Sequence, residues 1–467
     1  MKKNLLAAFL CSALAVTSSA FATIRLPAVI SSNMVLQRES QATLWGWADP
    51  GEKITVATSW NGAIDSLTTN SDGRWKIKVS TPAAGGPYSI TLQGWNRIVL
   101  DNVLIGEVWL CSGQSNMEWS SYNNNKQIAD ELPKSANNNI RFFHIPRTTS
   151  AYPQDNCEGN WEASGPESLK GFSIIGYFFG KKLQQELNVP IGLVEAAWGG
   201  TPVESWTPAP VIESDAIMKE AAARLPETPW GPHSPGIIYN GMIAPVTNFT
   251  IAGVIWYQGE GNTAIPHSYQ RTFTGMIGAW RKVWQKEFPF YYVQIAPYAY
   301  GNKPVGALVM EQQTRSLSYP RTGMVVITDL VNDVKNIHPD NKLDVAIRLA
   351  NLALADNYHR SLTGYKSPVF KSMETDQNKL VVYFENAPDG FLTKGNEKPT
   401  EFYIAGDDKV FLPAEVKLEN NRIIVWNKQL SKPVAVRFAF SNTAMSNVFS
   451  KAGLPVTPFR TDNWTTE

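Results

Sequence analysis

Cysteine is scarce in this chain, with three in 467 residues. Cys11 lies in an N-terminal apolar stretch, and Cys111 and Cys157 could form one pair at most, which is no disulfide framework. Zinc-ligand cysteine spacing is missing, and none of the five histidines stands four residues from another. G-x-G-x-x-G and Walker A sequences are missing too, so no cofactor and no metal is expected. An excess of one charge sign is also lacking: 42 Lys and Arg stand against 41 Asp and Glu. That balance provides no long-range attraction to nucleic acid or to anionic lipid. Beyond the N-terminal stretch no apolar run is long enough to span a bilayer, and internal repeats and low-complexity tracts are not evident.

What the chain has begins with a leader. Met1-Lys2-Lys3-Asn4 precedes the apolar run Leu5 to Val16 and then Thr17-Ser18-Ser19-Ala20-Phe21-Ala22, the pattern of a secretory signal peptide over residues 1–22 with cleavage after Ala22. The run is shorter than the roughly 20 residues a membrane helix needs. Phe9-Leu10 before Cys11 does not fit a lipoprotein signal. Export across the inner membrane is expected, with a periplasmic destination preferred and an extracellular or surface one left open. Lys2 and Lys3 leave with the leader, so 40 basic side chains then face 41 acidic ones.

The 43% hydrophobic and 11% aromatic content argues against extended disorder. Sixteen Trp, many beside Gly, Asn or Asp, suit polar-rimmed aromatic surfaces of the kind that hold sugar faces. The length exceeds one ordinary core. Short β-rich pieces recur over residues 23–100 (42–46, 53–57, 75–79, 88–92) and read as a small antiparallel sandwich. Residues 101–366 change period, with helical patterns at 174–187, 269–284 and about 342–355. Strand-like runs fall at 191–197, 251–257, 290–295 and 324–327, giving a parallel α/β domain. Residues 367–467 are β-rich again (379–384, 402–405, 422–426, 434–439) and could stand alone or merge with the first module.

Four loops could meet beyond the carboxyl ends of those strands, where α/β folds gather their ligands. Cys111-Ser112-Gly113-Gln114-Ser115-Asn116-Met117-Glu118 follows an apolar run. It lacks the G-x-S-x-G elbow, since Met117 stands two after the serine. Ser115 is the candidate nucleophile and Ser112 its nearest competitor. Trp198-Gly199-Gly200-Thr201 with Trp206 could lend a backbone amide to a tetrahedral oxyanion. Trp256-Tyr257-Gln258-Gly259-Glu260-Gly261-Asn262 could supply the Gln258 amide as a second donor and Glu260 as an orienting acid. Asp333-Val334-Lys335-Asn336-Ile337-His338-Pro339 carries His338, the best base by context, while His233 and His267 could contact substrate. Trp198, Trp206 and Asn262 are candidate substrate contacts. Glu107, Glu118, Glu204, Glu260 and Asp333 keep acid–base glycosidase chemistry as a second enzyme reading, and a noncatalytic carbohydrate-binding assembly is the third.

Taken together, Cys111 to Met117, Gly199-Gly200-Thr201 with Trp206, Trp256 to Glu260, and Ile337-His338-Pro339 with Lys342 resemble the sialate O-acetylesterase family of SGNH-type serine esterases. The likeness runs from about Ile24 to Trp464. It implies a flavodoxin-like α/β hydrolase domain flanked by β modules, acting on O-acetylated sialic acid or another acetylated glycan. It maps Ser115 to nucleophile and His338 to general base and acid. The Ser115 amide, a Gly199 or Gly200 amide and the Gln258 side chain map to the oxyanion site. The broader SGNH pattern has an acid three residues before the histidine, where this chain has Lys335. The orienting acid is therefore Glu260 by preference or Asp333, and a Ser/His dyad stays open. Acetyl xylan or pectin esterases would share the chemistry. Oligomeric state and the role of the β modules are left undecided.

Overall fold

The computed structural model describes residues 24–465, so the leader reading over 1–22 lies outside the described residues. The protein is an α/β fold combining mixed sheets with helices. Its organising element is one long strand, Arg97–Gly113. The second half of this strand is the middle of a parallel sheet in the order Thr322–Val325, Phe290–Val293, Gly253–Tyr257, Arg97–Gly113, Ile191–Ala197, Asn137–His144, with Trp161–Ser164 antiparallel at the edge.

The inner strands Ile191–Ala197 and Gly253–Tyr257 are buried at every position, as expected for a parallel sheet covered on both faces. Successive side chains alternate between two cores. Trp109, Cys111, Leu193, Ile255 and Val293 pack against helices Ile174–Leu187 and Lys342–Leu352. Val108, Leu110, Val194, Val254 and Tyr292 pack on the opposite face against helices Tyr269–Trp284 and Val305–Arg315. The period-2 alternation of the strands thus builds three layers.

The first half of the same strand belongs to the N-terminal β structure. Ile98 to Leu100 pair antiparallel with strand Gly85–Gln93, and Leu104 to Gly106 pair parallel with Val35–Gln37. The division expected near residue 100 falls inside this continuous strand, so the amino-terminal sheet and the central sheet share one strand.

Beyond residue 367 two four-stranded antiparallel sheets enclose a core of their own, formed by Leu380, Val382, Ile404, Val425, Phe438 and their neighbours. This unit is tied to the central body by buried polar contacts. Arg460 makes a two-pronged bond to Glu311 at 2.9 and 3.0 Å, the geometry that makes guanidinium–carboxylate pairs directional. The Asn442 side chain accepts from Gly306 N–H and donates to the carbonyls of Gly301 and Lys303. Tyr298 N–H donates to the Asn442 carbonyl at 2.7 Å. The C-terminal sheets therefore brace the loop that follows strand Phe290–Val293. Cys111 and Cys157 are both free thiols. Among the described residues no helix is long and apolar enough to cross a membrane.

Candidate active site

Gly113 ends the long strand at φ +136°, and the backbone of its neighbour Tyr257 lies where a Cβ would stand. Gln114 N–H donates to the Tyr257 carbonyl at 2.8 Å, which ends the strand pairing, and Ser115 opens a four-residue helix, Ser115–Glu118. The side chain of Ser115 thereby stands at the carboxyl edge of the sheet. Ser112 points into the core, completely buried, and takes no part in the cleft.

His338 Nε2 lies 2.8 Å from Ser115 Oγ, across 223 positions of sequence. Its loop is shaped by short-range side-chain turns: Asn336 Oδ1 accepts from His338 N–H at 2.9 Å, and Asp333 accepts from Lys335 N–H at 2.8 Å. Trp119 lies against the imidazole at 4.9 Å between ring centroids. From the other side, Gln127 Oε1 accepts from the backbone N–H groups of Lys342 and Leu343 at 2.8 and 3.0 Å, holding the start of the following helix.

Neither expected acid bonds to His338. The Asp333 carboxylate caps its own loop, and Glu260 accepts from Asn116 Nδ2 at 2.7 Å. Asn116 in turn donates to the carbonyl of Ile337, one residue before the histidine, at 3.1 Å, and its Oδ1 accepts from Lys342 Nζ. Glu260 therefore reaches the histidine loop through Asn116. The Lys342 ammonium is buried over the rings of Trp119 and Tyr257, at 4.7 and 5.8 Å. Burial pushes its pKa down to about 7 against the pull of Glu260 and Asp340, and burial pushes Glu260 up.

The same burial, with Lys342 nearby, lowers His338 to about 4. A base must be neutral to take the Ser115 proton, so the acid limb of kcat/KM is expected near pH 4 and not at the ordinary 6.5. Between those two values the unfolded chain binds a proton that the folded loop refuses, so stability also falls as pH drops through that window. A kcat/KM titration with an acid midpoint at 6.5 or above would mean that a carboxylate holds Nδ1 in solution.

A cleft of about 1000 Å³ opens over Ser115 and His338, lined also by Glu118, His144, Arg147 and Trp230. Glu118 accepts from Gly199 N–H at 2.9 Å and pairs with Arg147, while His144 is held by the buried Glu195 at 3.2 Å. Gly200 lies at φ +73° beneath Trp230, and its amide has no partner among the described residues.

The expected substrate contacts divide. Trp198 is half-buried with Arg147 5.8 Å from its ring but is not part of the cleft lining, and Trp206 is fully buried, its indole N–H bonded to Thr201 Oγ1 at 2.9 Å. Asn262 is equally sealed, accepting from Val203 N–H and Gln258 Nε2 and donating to Glu204. Gln258 spends both amide hydrogens on the Thr201 carbonyl and Asn262, so its side chain joins two loops beneath the cleft and does not face it. Of the other histidines, His233 lines the cleft and His267 does not. Residues that sequence reading passed over are Gln114, Asn116 and Trp119, which flank Ser115, and Trp230 within a Pro- and Gly-rich stretch. The first three lay inside or beside a motif already singled out, and no signal distinguished Trp230 from a loop tryptophan.

A serine in contact with a histidine, at the carboxyl ends of a parallel sheet and open to a polar cleft, is the arrangement that acyl transfer through an activated hydroxyl requires. Residues 105–355 match the family model described as carbohydrate esterase, sialic acid-specific acetylesterase, and the chain belongs to that family. It is 28% identical over 435 residues to the sialate O-acetylesterase of Homo sapiens, covering 84% of this chain and 82% of that protein. Against the sialate O-acetylesterase of Mus musculus it is 27% identical, with 91% of each covered. The crystal structure of a carbohydrate acetylesterase from Xanthomonas citri superposes with a TM-score of 0.86 at 34% identity, covering 95% of this chain and 100% of that one. Family membership carries hydrolase activity of the carbohydrate-esterase type, a general deacetylation.

Proposed function

We propose that this chain removes O-acetyl groups from sialic acids or related glycans through an acetyl-serine intermediate, with Ser115 as nucleophile and His338 as general base and acid. The observation that carries the reading is the 2.8 Å contact between Ser115 Oγ and His338 Nε2 in the cleft of a carbohydrate-esterase fold. His338 Nε2 takes the hydroxyl proton as Ser115 Oγ bonds to the acetyl carbon, and the carbonyl oxygen becomes an oxyanion. Backbone amides of Ser115 and Gly200 serve that charge, since the Gly199 amide is engaged by Glu118. Collapse breaks the ester C–O bond, and the proton on His338 passes to the departing sugar oxygen. Water then loses a proton to His338 and attacks the acetyl carbon. Acetate leaves, and Ser115 regains its proton.

The preferred form is a Ser/His dyad whose loop is positioned by Glu260 through Asn116. The five strands Arg97–Gly113, Ile191–Ala197, Gly253–Tyr257, Phe290–Val293 and Thr322–Val325, numbered in chain order, run 2-1-3-4-5, which supports the flavodoxin-like SGNH reading; the parallel strand Asn137–His144 is an addition outside Ile191–Ala197. The leader pattern over residues 1–22 supports export across the inner membrane, to the periplasm by preference or to the surface or exterior.

The test is acetate release from a matched set: O-acetylated sialic acid, acetylated xylan and a simple acetyl ester, with glycosidic cleavage followed in parallel. Preference for the sialic acid is expected. Preference for xylan would keep the mechanism and overturn the substrate, while glycan cleavage without acetate release would overturn both.

A further inference from the structure

We propose that the side-chain amide of Gln114 is an oxyanion donor of this site, a role that rests on the serine-esterase reading above. Gln114 stands between the long strand and Ser115, and its backbone is fixed at both ends. Its N–H donates to the Tyr257 carbonyl, and its own carbonyl accepts from the N–H groups of Met117 and Glu118 at 2.8 and 3.1 Å. Its Oε1 accepts from Gly261 N–H at 3.0 Å and from Gly259 N–H at 3.3 Å. Both partners are backbone donors, so the atom facing that turn must be the oxygen, and the opposite end of the planar amide carries the two hydrogens.

That Nε2 has no hydrogen-bond partner among the described residues. The side chain is only 3% exposed, yet it lines the cleft together with Ser115 and Gly261, and Nε2 is not among the atoms sealed away without a partner. A buried amide locked at its oxygen and open at its nitrogen, one residue from the nucleophile, is a preorganised donor: it needs no reorganisation when negative charge develops beside it. Gln258 cannot fill this role in the same geometry. Its two hydrogens go to the Thr201 carbonyl at 3.1 Å and Asn262 Oδ1 at 2.7 Å, and its oxygen takes the Tyr269 hydroxyl at 3.1 Å. The glutamine of the serine loop thus supplies what the glutamine of the third loop spends on holding its neighbours.

Two substitutions separate donation from support of the turn. Gln114→Glu keeps oxygens that can accept from Gly259 and Gly261 but lacks the N–H groups, and Gln114→Met is neutral and lacks both. Loss of one such donor lowers kcat by about 10²–10³-fold, so both variants are expected to fall in that range with KM for a simple acetyl ester changed by no more than about twofold. Equal loss in the neutral variant excludes the new charge as the cause. If Gln114 only braces the turn, Gln114→Glu restores the kcat that Gln114→Met loses, and the proposal is overturned. Folded protein is quantified by Tm and near-ultraviolet circular dichroism before rates are compared. Ser115→Ala is measured beside them. If it turns over normally, the site reading fails and takes this one with it; if it is inactive while Gln114→Glu keeps kcat within about threefold of the parent, the role of Gln114 alone is lost.

Discussion

Ser115→Ala is expected to lower kcat by roughly 10⁴–10⁶-fold while leaving the protein folded, by comparison with knock-outs of other activated serines. The Ser115 side chain makes one hydrogen bond, to His338, and sits on the wall of an open cleft. Deleting a single neutral hydrogen bond at such a place costs about 1 kcal/mol, a small part of the stability of a chain with three large buried clusters. The same two groups act as a unit, so His338→Ala should lose nearly as much activity, and the double variant little more than either single one. Acetate release measured on all three, with Tm in parallel, checks this. Turnover of pure Ser115→Ala within about tenfold of the parent would remove the serine from the mechanism. Losses that multiply in the double variant would mean that Ser115 and His338 act in separate steps.

Gly113→Ala should do the reverse and break the fold that carries the serine. A Cβ there would lie 2.2 Å from the Tyr257 carbonyl oxygen and within 3 Å of its carbonyl carbon and nitrogen, all backbone atoms of the adjoining central strand. That strand cannot move away alone, because Tyr257 pairs with Gly113 in the parallel register and its carbonyl accepts from Gln114 N–H. On the other side the Gly113 carbonyl accepts from Trp198 N–H at 3.0 Å. The φ of +136° adds backbone strain for any L side chain. Strain and overpacking together are worth about 3–5 kcal/mol. Gly62 also has a positive φ, 66°, but nothing lies within 4 Å of its Cβ position, so Gly62→Ala meets only the conformational term of about 1–2 kcal/mol. Equal urea midpoints for the two variants would show that the central strands yield to the extra carbon, contrary to this account.

The elements best read in advance were those whose pattern is local. Helices Ile174–Leu187 and Tyr269–Trp284 and strand Ile191–Ala197 lie at the expected residues, because amphipathic or continuous burial marks them along the chain itself. Strand ends elsewhere shift by a few residues: the run read as 324–327 pairs over Thr322–Val325. Asn137–His144 passed unseen, since its first three residues are asparagines and only its sheet neighbours make it a strand. Helix Val305–Arg315 was missed as well, its buried face including Glu311, Gln312 and Gln313, which a hydropathy pattern counts as polar. In the site, the Ser115–His338 contact joins two loops that local pattern marks, a polar glycine-containing turn after an apolar run and a proline-bounded loop holding one of only five histidines. Gln114 was not chosen over Gln258, because both are glutamines in glycine-containing loops and differ only in what surrounds them.

The chain by itself determined which chemistry was present: one serine loop, one histidine loop, scarce cysteine, balanced charge, and strands apolar enough to be covered on both faces. These follow from composition and short-range pattern, which act over a few residues. Tertiary structure alone decided which hydrogen bonds those groups spend. It joined Ser115 to His338 across the sheet, turned Gln258 and Asn262 inward, gave Glu260 to Asn116, and left the Gln114 amide facing the cleft. An amide or carboxylate has the same capacity wherever it stands, and burial makes each of its bonds exclusive, so its role is set by whichever partner the packed backbone brings within 3 Å.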